Sequence, residues 1–396
     1  MTLSDRSAAI SIGAIAAVAY LAAGFGLVTD YDYYGRLADA FLHGRWWLEV
    51  APPWLNELLP CGDGRFCVVY PPLPAILVLP LAPFLSTAEA QVIVSRIAGG
   101  ASAGVLYYAL RAYGAPRPYA LAGTVLSAFG TTLFFSSVDG RAWYAAHSAS
   151  MLFLAGAFAL AARGGPPVPT GVLVGLSALA RLPVAAAAPA LALLAARRGG
   201  TSYRRALTGV LLGGLPLAIV YVGYNVLRWG TPLDEGYARL TQDDVFFNYG
   251  LFSPIYLVRH LVAIFLEAPD IVEGTPFFLR PRFVGMSLFL TTPAFLWVFV
   301  ALREIRRDVA VAATAAAALL ALLPDVLHGT VGFQQFGYRF SIDAQPFLVA
   351  LAISGDGLRR GVWRRWPSVL FIVAVLLSLA VNIYATIAIT RYGYWQ

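Results

Sequence analysis

The chain is dominated by long apolar runs that are separated by short, arginine-rich loops. Hydrophobic residues make up 59% of its 396 residues, and charged residues only 12%. Soluble domains do not reach this composition, whereas a run of about 20 apolar residues is what a helix needs to cross a bilayer. The sequence therefore predicts an all-α polytopic membrane protein.

Eleven apolar runs predict about 11 transmembrane helices. They cover residues 8–29, 91–112, 118–136, 144–162, 169–181, 183–197, 205–227, 284–303, 308–323, 341–355 and 367–390. The first run lacks a small-residue cleavage site, which favours a retained helix over a signal peptide. Because no internal repeat or soluble domain is visible, we expect one membrane domain over residues 1–396.

The basic residues predict the orientation of the helices. All 28 are arginine, and they cluster in short loops between the apolar runs. The net charge of +7 is compatible with nucleic-acid binding, but this clustering is typical of cytoplasmic loops, so we expect no nucleic-acid partner. If the N-terminus is cytoplasmic, every loop that then lies on the cytoplasmic side contains arginine, as the positive-inside rule requires. This topology, in a bacterial inner membrane, predicts two large extracytoplasmic loops at residues 29–90 and 228–284.

Three further segments are predicted not to cross the membrane as regular spans. Residues 71–85 are short and contain five prolines, and counting them as a span would invert every later loop, so we interpret them as interfacial or re-entrant. Residues 34–42 and 251–266 are amphipathic and predict interfacial helices. The short runs on either side of Arg181 predict a helical hairpin that carries this arginine into a cavity.

Cys61 and Cys67 flank an Asp-Gly turn signal in the first loop. Two thiols are half of a typical zinc site, and no second pair completes one. A disulfide across a small hairpin is therefore predicted. It would place this loop in an oxidising compartment.

Asp30 and Asp32 directly follow the first apolar run, where a charge needs a functional reason. One of them could deprotonate an acceptor hydroxyl while the other orients it. The alternatives are an acidic cap without chemistry, or a pair that holds a divalent cation. No other cofactor is indicated.

Arginines in or beside apolar runs are candidate phosphate ligands, since a guanidinium at that depth needs an anionic partner. They are Arg96, Arg181 and Arg339. For Arg96 the alternative is snorkelling to the interface. For Arg339 it is an ion pair with Asp343, four residues later.

Other polar residues on the predicted outer face are candidate substrate-binding residues. They are Tyr70, Asp139, Arg141, His147 and Tyr338. Asp139 can equally be a helix cap, and a lone buried histidine such as His147 is often purely structural.

Several stretches together resemble GT-C fold glycosyltransferases of the lipid A aminoarabinose transferase (ArnT) and protein O-mannosyltransferase type. They are the pattern D-x-x-x-Y-x-x-L-A-x-A-F-L-H-G-R from Asp30 to Arg45, then YPPLP, GRAWYAAH, GLSALARLP, YNVLRWGTPLDEGY and FGYRFSIDAQPFL. The resemblance covers nearly the whole chain, in the same order.

This resemblance implies an inverting transfer of a sugar from a polyprenyl-phosphate carrier, on the extracytoplasmic face. It implies interfacial helices in the first loop and a catalytic aspartate, which is Asp30 or Asp32 depending on the pattern used. It also implies that Arg96 contacts the carrier phosphate and that Asp139 is a second acid. The family often has a lysine beside the PPL motif, whereas here Tyr70 precedes it, so phosphate binding would rely on arginines.

We therefore expect a glycosyltransferase that acts on a polyprenyl-phosphate-linked sugar and a glycan, lipid or protein acceptor. The isoprenoid tail would lie in a groove between spans. The main alternative is a transporter or flippase of lipid-linked sugars, which predicts matched halves and cavities open to both faces. A third alternative is a non-catalytic scaffold, which would leave the buried arginines unexplained.

Overall fold

The computed structural model describes residues 3–273, 279–282 and 284–393. These residues are mostly helical. The α-helices are α1 (Leu3–Ala23), α2 (Tyr33–Leu42), α3 (Leu73–Val78), α4 (Thr87–Tyr113), α5 (Arg117–Phe129), α6 (Thr132–Asp139), α7 (Ala142–Ala162), α8 (Pro167–Ala178), α9 (Ala188–Gly199), α10 (Tyr203–Trp229), α11 (Gly236–Leu240), α12 (Leu257–Phe265), α13 (Leu288–Thr291), α14 (Trp297–Ala301), α15 (Val309–Val326), α16 (Gln345–Gly357) and α17 (Val369–Tyr392).

Short 3-10 helices and three antiparallel hairpins connect these helices. The 3-10 helices are Leu182–Ala187, Val245–Phe247, Pro254–Tyr256, Pro293–Leu296, Leu302–Glu304 and Arg339–Ala344. The hairpins pair β1 (Leu58–Pro60) with β2 (Phe66–Val68), β3 (Asp270–Ile271) with β4 (Leu279–Arg280), and β5 (Leu358–Arg359) with β6 (Val362–Trp363).

Local sequence signals explain where the long helices begin and end. Ser86 and Glu89 form a capping box that starts α4, and Gly114 ends it with a φ of 106°. Asp308 caps α15 by accepting hydrogen bonds from the amides of Ala310 and Val311. Ser368 caps α17 in the same way, at the amide of Phe371.

Six of the described helices are long and apolar enough to cross a membrane: α1, α4, α7, α10, α15 and α17. A seventh span is formed if α5 and α6, which meet at a 46° bend, count as one. The protein is thus an all-α membrane protein.

The predicted count of about 11 spans is not supported. The remaining apolar runs do form helices, but proline and glycine interrupt them. Run 284–303 is broken around Pro293, and α8 and α16 have only 12 and 13 residues. A 13-residue helix is about 20 Å long, whereas the hydrocarbon core is about 30 Å thick.

The helices pack closely around α4, α7 and α16. Every residue of α16 is buried. The contact between α1 and α4 depends on glycine, because a Cβ at Gly104 would lie 2.2 Å from the carbonyl oxygen of Ala9. This close approach is the small-residue packing expected where no hydrophobic effect drives helices together.

The segment between α1 and α4 folds over the ends of the helices. It contains α2, the β1–β2 hairpin and α3, which has only six residues and is far too short to cross a bilayer. Arg228, at the end of α10, is fully buried and donates hydrogen bonds to the carbonyls of Val68 and Tyr70, at 2.6 and 3.3 Å. This arginine holds the segment against α10.

Candidate functional site

A cavity of about 550 Å³ lies beneath the segment between α1 and α4. The described residues that line it come from parts of the chain far apart in sequence, nearly all of them predicted to be extracytoplasmic. They are Tyr31, Asn56, Glu57, Tyr70, Trp143, Tyr237, Leu240, Thr241, Asp244, Phe246, Phe247, Arg259, Val284, Thr330, Val331, Gly332, Phe333 and Arg339.

Glu57 contributes a carboxylate to this cavity. It lies one residue before β1, and its backbone amide donates a hydrogen bond of 3.0 Å to the Tyr33 hydroxyl. Its Oε2 atom is buried and has no hydrogen-bond partner among the described residues. Burial raises the pKa of the Glu57 carboxyl to about 7, against the opposing effect of the Arg339 guanidinium. A carboxyl with such a pKa can accept a proton near neutral pH.

Arg339 contributes a guanidinium. Only 9% of the residue is exposed, and its Nη1 donates a hydrogen bond of 2.9 Å to the carbonyl of Phe333. Among the described residues its buried Nε has no hydrogen-bond partner, and no carboxylate forms an ion pair with it. Glu57 acts on this guanidinium electrostatically but forms no ion pair with it, so the buried charge is suited to an anionic ligand.

Aromatic residues form much of the remaining wall. Tyr70 packs against Tyr33, Tyr34 and Tyr237, with ring centroids 5.5 to 6.2 Å apart. The Tyr70 hydroxyl and the Trp143 Nε1 are buried without a hydrogen-bond partner among the described residues. The cavity therefore offers flat apolar faces together with unused polar atoms, a combination that suits a ligand rich in hydroxyl groups.

The two predicted catalytic aspartates lie outside this set. Asp32 is buried, accepts a hydrogen bond of 2.7 Å from Arg36 Nε, and accepts another from the Thr87 hydroxyl. Asp30 is exposed, and its carbonyl accepts a hydrogen bond from Trp54 Nε1. Neither is among the described residues that line the cavity. These contacts are those of a structural acid and a surface acid.

Arg96 is buried within α4 and bonded to backbone carbonyls. Its Nε and Nη2 donate to the carbonyl of Val138 at 3.0 and 2.9 Å, and Nη2 also donates to that of Leu27 at 2.9 Å. These bonds link the ends of α1 and α6 to α4. They occupy Nε and Nη2, and the predicted contact with a carrier phosphate stays a prediction.

Arg181 lies between α8 and the 3-10 helix Leu182–Ala187, in a buried network. Its Nη2 is 2.8 Å from Asp343 Oδ2 and 3.0 Å from Asp325 Oδ1. His147 Nδ1 is 2.8 Å from the other oxygen of Asp343. The predicted ion pair of Arg339 with Asp343 is absent from the described contacts, because Asp343 is occupied by Arg181 and His147.

Apart from Tyr70, the predicted substrate-binding residues are bonded to other side chains. Asp139 and Arg141 form an ion pair of 3.3 Å, and Arg141 Nη1 donates a hydrogen bond of 2.6 Å to Gln334. The Tyr338 hydroxyl lies 2.8 Å from Nδ1 of His260, behind the cavity wall. Of the five, only Tyr70 lines the cavity.

The predicted disulfide is confirmed. Cys61 and Cys67 are bonded, with their Cα atoms 5.8 Å apart, and the bond crosses the turn of the β1–β2 hairpin. Glu57 and Tyr70 lie just outside the two strands of this hairpin. The hairpin thus determines where these two side chains stand.

A divalent cation was the alternative interpretation of Asp30 and Asp32. Within the described ranges, no group of three histidine, cysteine, aspartate or glutamate side chains is close enough to hold a metal ion. The side chain of Asp32 is already bonded to Arg36 and Thr87.

Sequence reasoning missed Glu57, since an isolated glutamate in WLNELLP has no distinguishing spacing or neighbour. Only the hairpin fold brings it to the same cavity as Arg339. Its function has to be inferred from this chemistry, because comparison of the chain with protein-family models, curated proteins and solved structures gave no match.

Proposed function

We propose that the protein is an inverting glycosyltransferase that moves a sugar from a polyprenyl-phosphate carrier to a hydroxyl acceptor. The observation that carries this proposal is one cavity lined by both Glu57 and Arg339, in which Glu57 Oε2 and Arg339 Nε have no hydrogen-bond partner among the described residues. A base and an anion-binding group in one aromatic cavity match the needs of this reaction.

In the proposed reaction, the acceptor hydroxyl attacks the anomeric carbon of the carrier-bound sugar. A new carbon–oxygen bond forms on one side as the bond from this carbon to the phosphate oxygen breaks on the other, which inverts the configuration. Glu57 accepts the hydroxyl proton, and Arg339 stabilises the negative charge on the departing polyprenyl phosphate. The aromatic wall holds the sugar.

The proposal assigns the base to Glu57 rather than to Asp30 or Asp32. Asp32 is bonded to Arg36 and Thr87, whereas Oε2 of Glu57 has no hydrogen bond to any residue that the structure describes. Burial also brings the pKa of Glu57 into the range where a base works at neutral pH. The roles that the resemblance implies for the two aspartates stay predictions, which alanine substitution would test.

The topology is part of the proposal. With a cytoplasmic N-terminus, and with the broken apolar runs 284–303 and 341–355 also crossing the membrane, the arginine-rich loops are cytoplasmic. The cavity then faces the extracytoplasmic side together with the Cys61–Cys67 disulfide. A GT-C-like arrangement of the spans in a bacterial inner membrane agrees with this orientation.

The test is transfer by the purified protein with a panel of polyprenyl-phosphate sugars and hydroxyl acceptors, read out by mass spectrometry of the product. We expect Glu57→Gln to reduce kcat by about 10²- to 10⁴-fold, the usual contribution of a general base. The matched control is Glu49→Gln, because Glu49 lies in the same loop with a 68% exposed side chain and pairs with Arg45.

Equal transfer by the Glu57→Gln variant and the wild type would refute Glu57 as the base. Movement of intact lipid-linked sugar across vesicles, without any glycosidic product, would favour the transporter alternative instead.

A further inference from the structure

The segment that includes α12 exposes an apolar surface next to the cavity. On α12 itself, Val258, Leu261, Val262 and Phe265 are exposed, and their spacing places them on one face. The same surface extends through residues 245–255, where other large apolar side chains are exposed. They are Val245, Phe246, Tyr249, Phe252 and Ile255. An exposed apolar surface of this extent in a loop needs a partner.

Of the polar residues of α12, His260 is buried, whereas the guanidinium of Arg259 lies 5.6 Å from the ring centroid of Phe246, at the edge of the apolar surface. His260 is buried between the Tyr338 hydroxyl and the carbonyl of His328, and burial lowers its pKa to about 4, so it is neutral. Arg259 donates hydrogen bonds to the carbonyls of Phe246 and Gly329 and lines the cavity. An interfacial helix normally presents a charged face to water, whereas the outer face of α12 carries no charge.

The position of α12 along the bilayer normal follows from its contacts with the end of α15. This span has 18 residues, which gives it a length of about 27 Å, close to the thickness of the hydrocarbon core. The carbonyls of Leu327 and His328, just beyond its end, accept hydrogen bonds from the Ser253 amide and the His260 ring. The exposed face of α12 therefore stands level with the end of α15 that is predicted to be extracytoplasmic, where its apolar side chains can enter the hydrocarbon.

The apolar surface is continuous with the cavity. Phe246 lines the cavity and is 55% exposed, so it stands on the rim. The groove of about 580 Å³ between α1 and α4 is also apolar, but it runs between Arg6 and Tyr108 and shares no lining residue with the cavity in the described part of the chain. In the described part of the chain, the surface of residues 245–265 therefore continues the cavity at Phe246, whereas that groove does not.

We propose that the exposed face of residues 245–265 lies in the hydrocarbon of the outer leaflet and is the route by which the apolar tail of the donor reaches the cavity, over Phe246 and along α12. This inference rests on the proposed function and adds to it the tail-binding surface. It also explains why a loop predicted to be extracytoplasmic exposes so many large apolar side chains.

The position in the bilayer is tested without any assay of transfer. Both native cysteines are in the disulfide, so a nitroxide attached to Val258→Cys reports on one site. In nanodiscs we expect this label to collide with oxygen and to be shielded from a water-soluble nickel complex. The control is Asp243→Cys, at an exposed acidic position near the rim, where the nickel complex has access. A Val258 label as accessible to nickel as the Asp243 label would overturn the proposal.

The route is tested with two donors that carry the same sugar, one with a full-length polyprenyl tail and one with a ten-carbon tail. For the double variant Val258→Gln, Leu261→Gln we expect the ratio of kcat/KM for the long donor to that for the short donor to fall about tenfold. The matched control is Leu211→Gln, Leu215→Gln on α10, whose side chains are similarly exposed but are not among the cavity-lining residues, and which keeps the wild-type ratio.

An unchanged ratio in the α12 variant would refute the tail route, even if the label lies in the hydrocarbon. Absence of transfer by the wild type with either donor would refute the proposed function instead, and the nitroxide result would then still decide where α12 lies.

Discussion

Two arginines contact the ring of Phe340, and they differ in their counterions. The guanidinium carbon of Arg181 is 5.4 Å from the ring centroid, and that of Arg339 is 5.2 Å from it. Arg181 bonds two buried carboxylates, those of Asp325 and Asp343. Arg339 has no carboxylate partner among the described residues. Both arginines were predicted to bind a phosphate, and of the two only Arg339 lacks an ion-pair partner among the described residues.

The ion pairs of Arg181 give it a structural role, whereas Arg339 is the arginine proposed to bind a ligand. The partners of Arg181 come from α15 and from the 3-10 helix Arg339–Ala344, so its bonds tie three segments together. Asp343 belongs to the same 3-10 helix as Arg339. We infer that the Arg181 network helps to position the helix from which Arg339 reaches the cavity.

The largest expected effect comes from breaking the Arg181 network. Arg181→Met leaves the carboxylates of Asp325 and Asp343 buried without their cation, and we expect the free energy of unfolding to fall by about 3–5 kcal/mol. Unfolding in mixed detergent micelles measures this change. The control is Arg239→Gln, which breaks an exposed pair with Glu235 and should cost about 0–1 kcal/mol. Equal losses for the two variants would contradict a structural role for Arg181.

Substitution of Arg339 should reduce transfer activity much more than it reduces stability. Arg339→Gln removes the charge proposed to stabilise the leaving phosphate, so we expect kcat/KM for transfer to fall by about 10²- to 10³-fold. We expect the free energy of unfolding to fall by only about 1 kcal/mol, because the variant loses the hydrogen bond to the Phe333 carbonyl and the cation–π contact with Phe340 but no ion pair found among the described residues. A loss of stability comparable to that of Arg181→Met would mean that the two arginines do not differ in the way described.

The pH dependence of kcat/KM tests whether the charge of Arg339 acts on Glu57. Glu57 accepts a proton only when it is ionised, so kcat/KM should rise with pH below its pKa of about 7 and level off above it. The Arg339 charge lowers this pKa, and the inflection should therefore move to higher pH in Arg339→Gln. A pH profile of kcat/KM for both proteins measures the shift. An inflection in the same place in both would show that Arg339 does not act on the base.

The smallest effect is expected at the ring between the two arginines. Phe340→Leu keeps an apolar side chain but removes both cation–π contacts, and we expect a loss of about 1 kcal/mol in the free energy of unfolding. The same unfolding assay applies. A loss as large as that of Arg181→Met would mean that the ring, rather than the ion pairs, holds this region together.

The local features of the fold were predictable. The six long spans overlap predicted runs, for example α7 at Ala142–Ala162 for 144–162 and α17 at Val369–Tyr392 for 367–390. The disulfide and a helix within 251–266 were also predicted, since each depends on residues close in sequence. The count of spans was not predictable, because apolar composition does not reveal that Pro293 or Gly130 divides a run into short helices.

The sequence alone determined that this is a helical membrane protein, roughly where its six long helices lie, and which cysteines join. These properties depend on the transfer of apolar residues from water and on neighbouring side chains. Tertiary structure decided which charges are neutralised and which face a cavity. Asp343 could have paired with Arg339 but pairs with Arg181, and Glu57 acquires its raised pKa only through burial. Ion pairing and desolvation depend on distances between residues remote in the chain, which are defined only once the helices have packed.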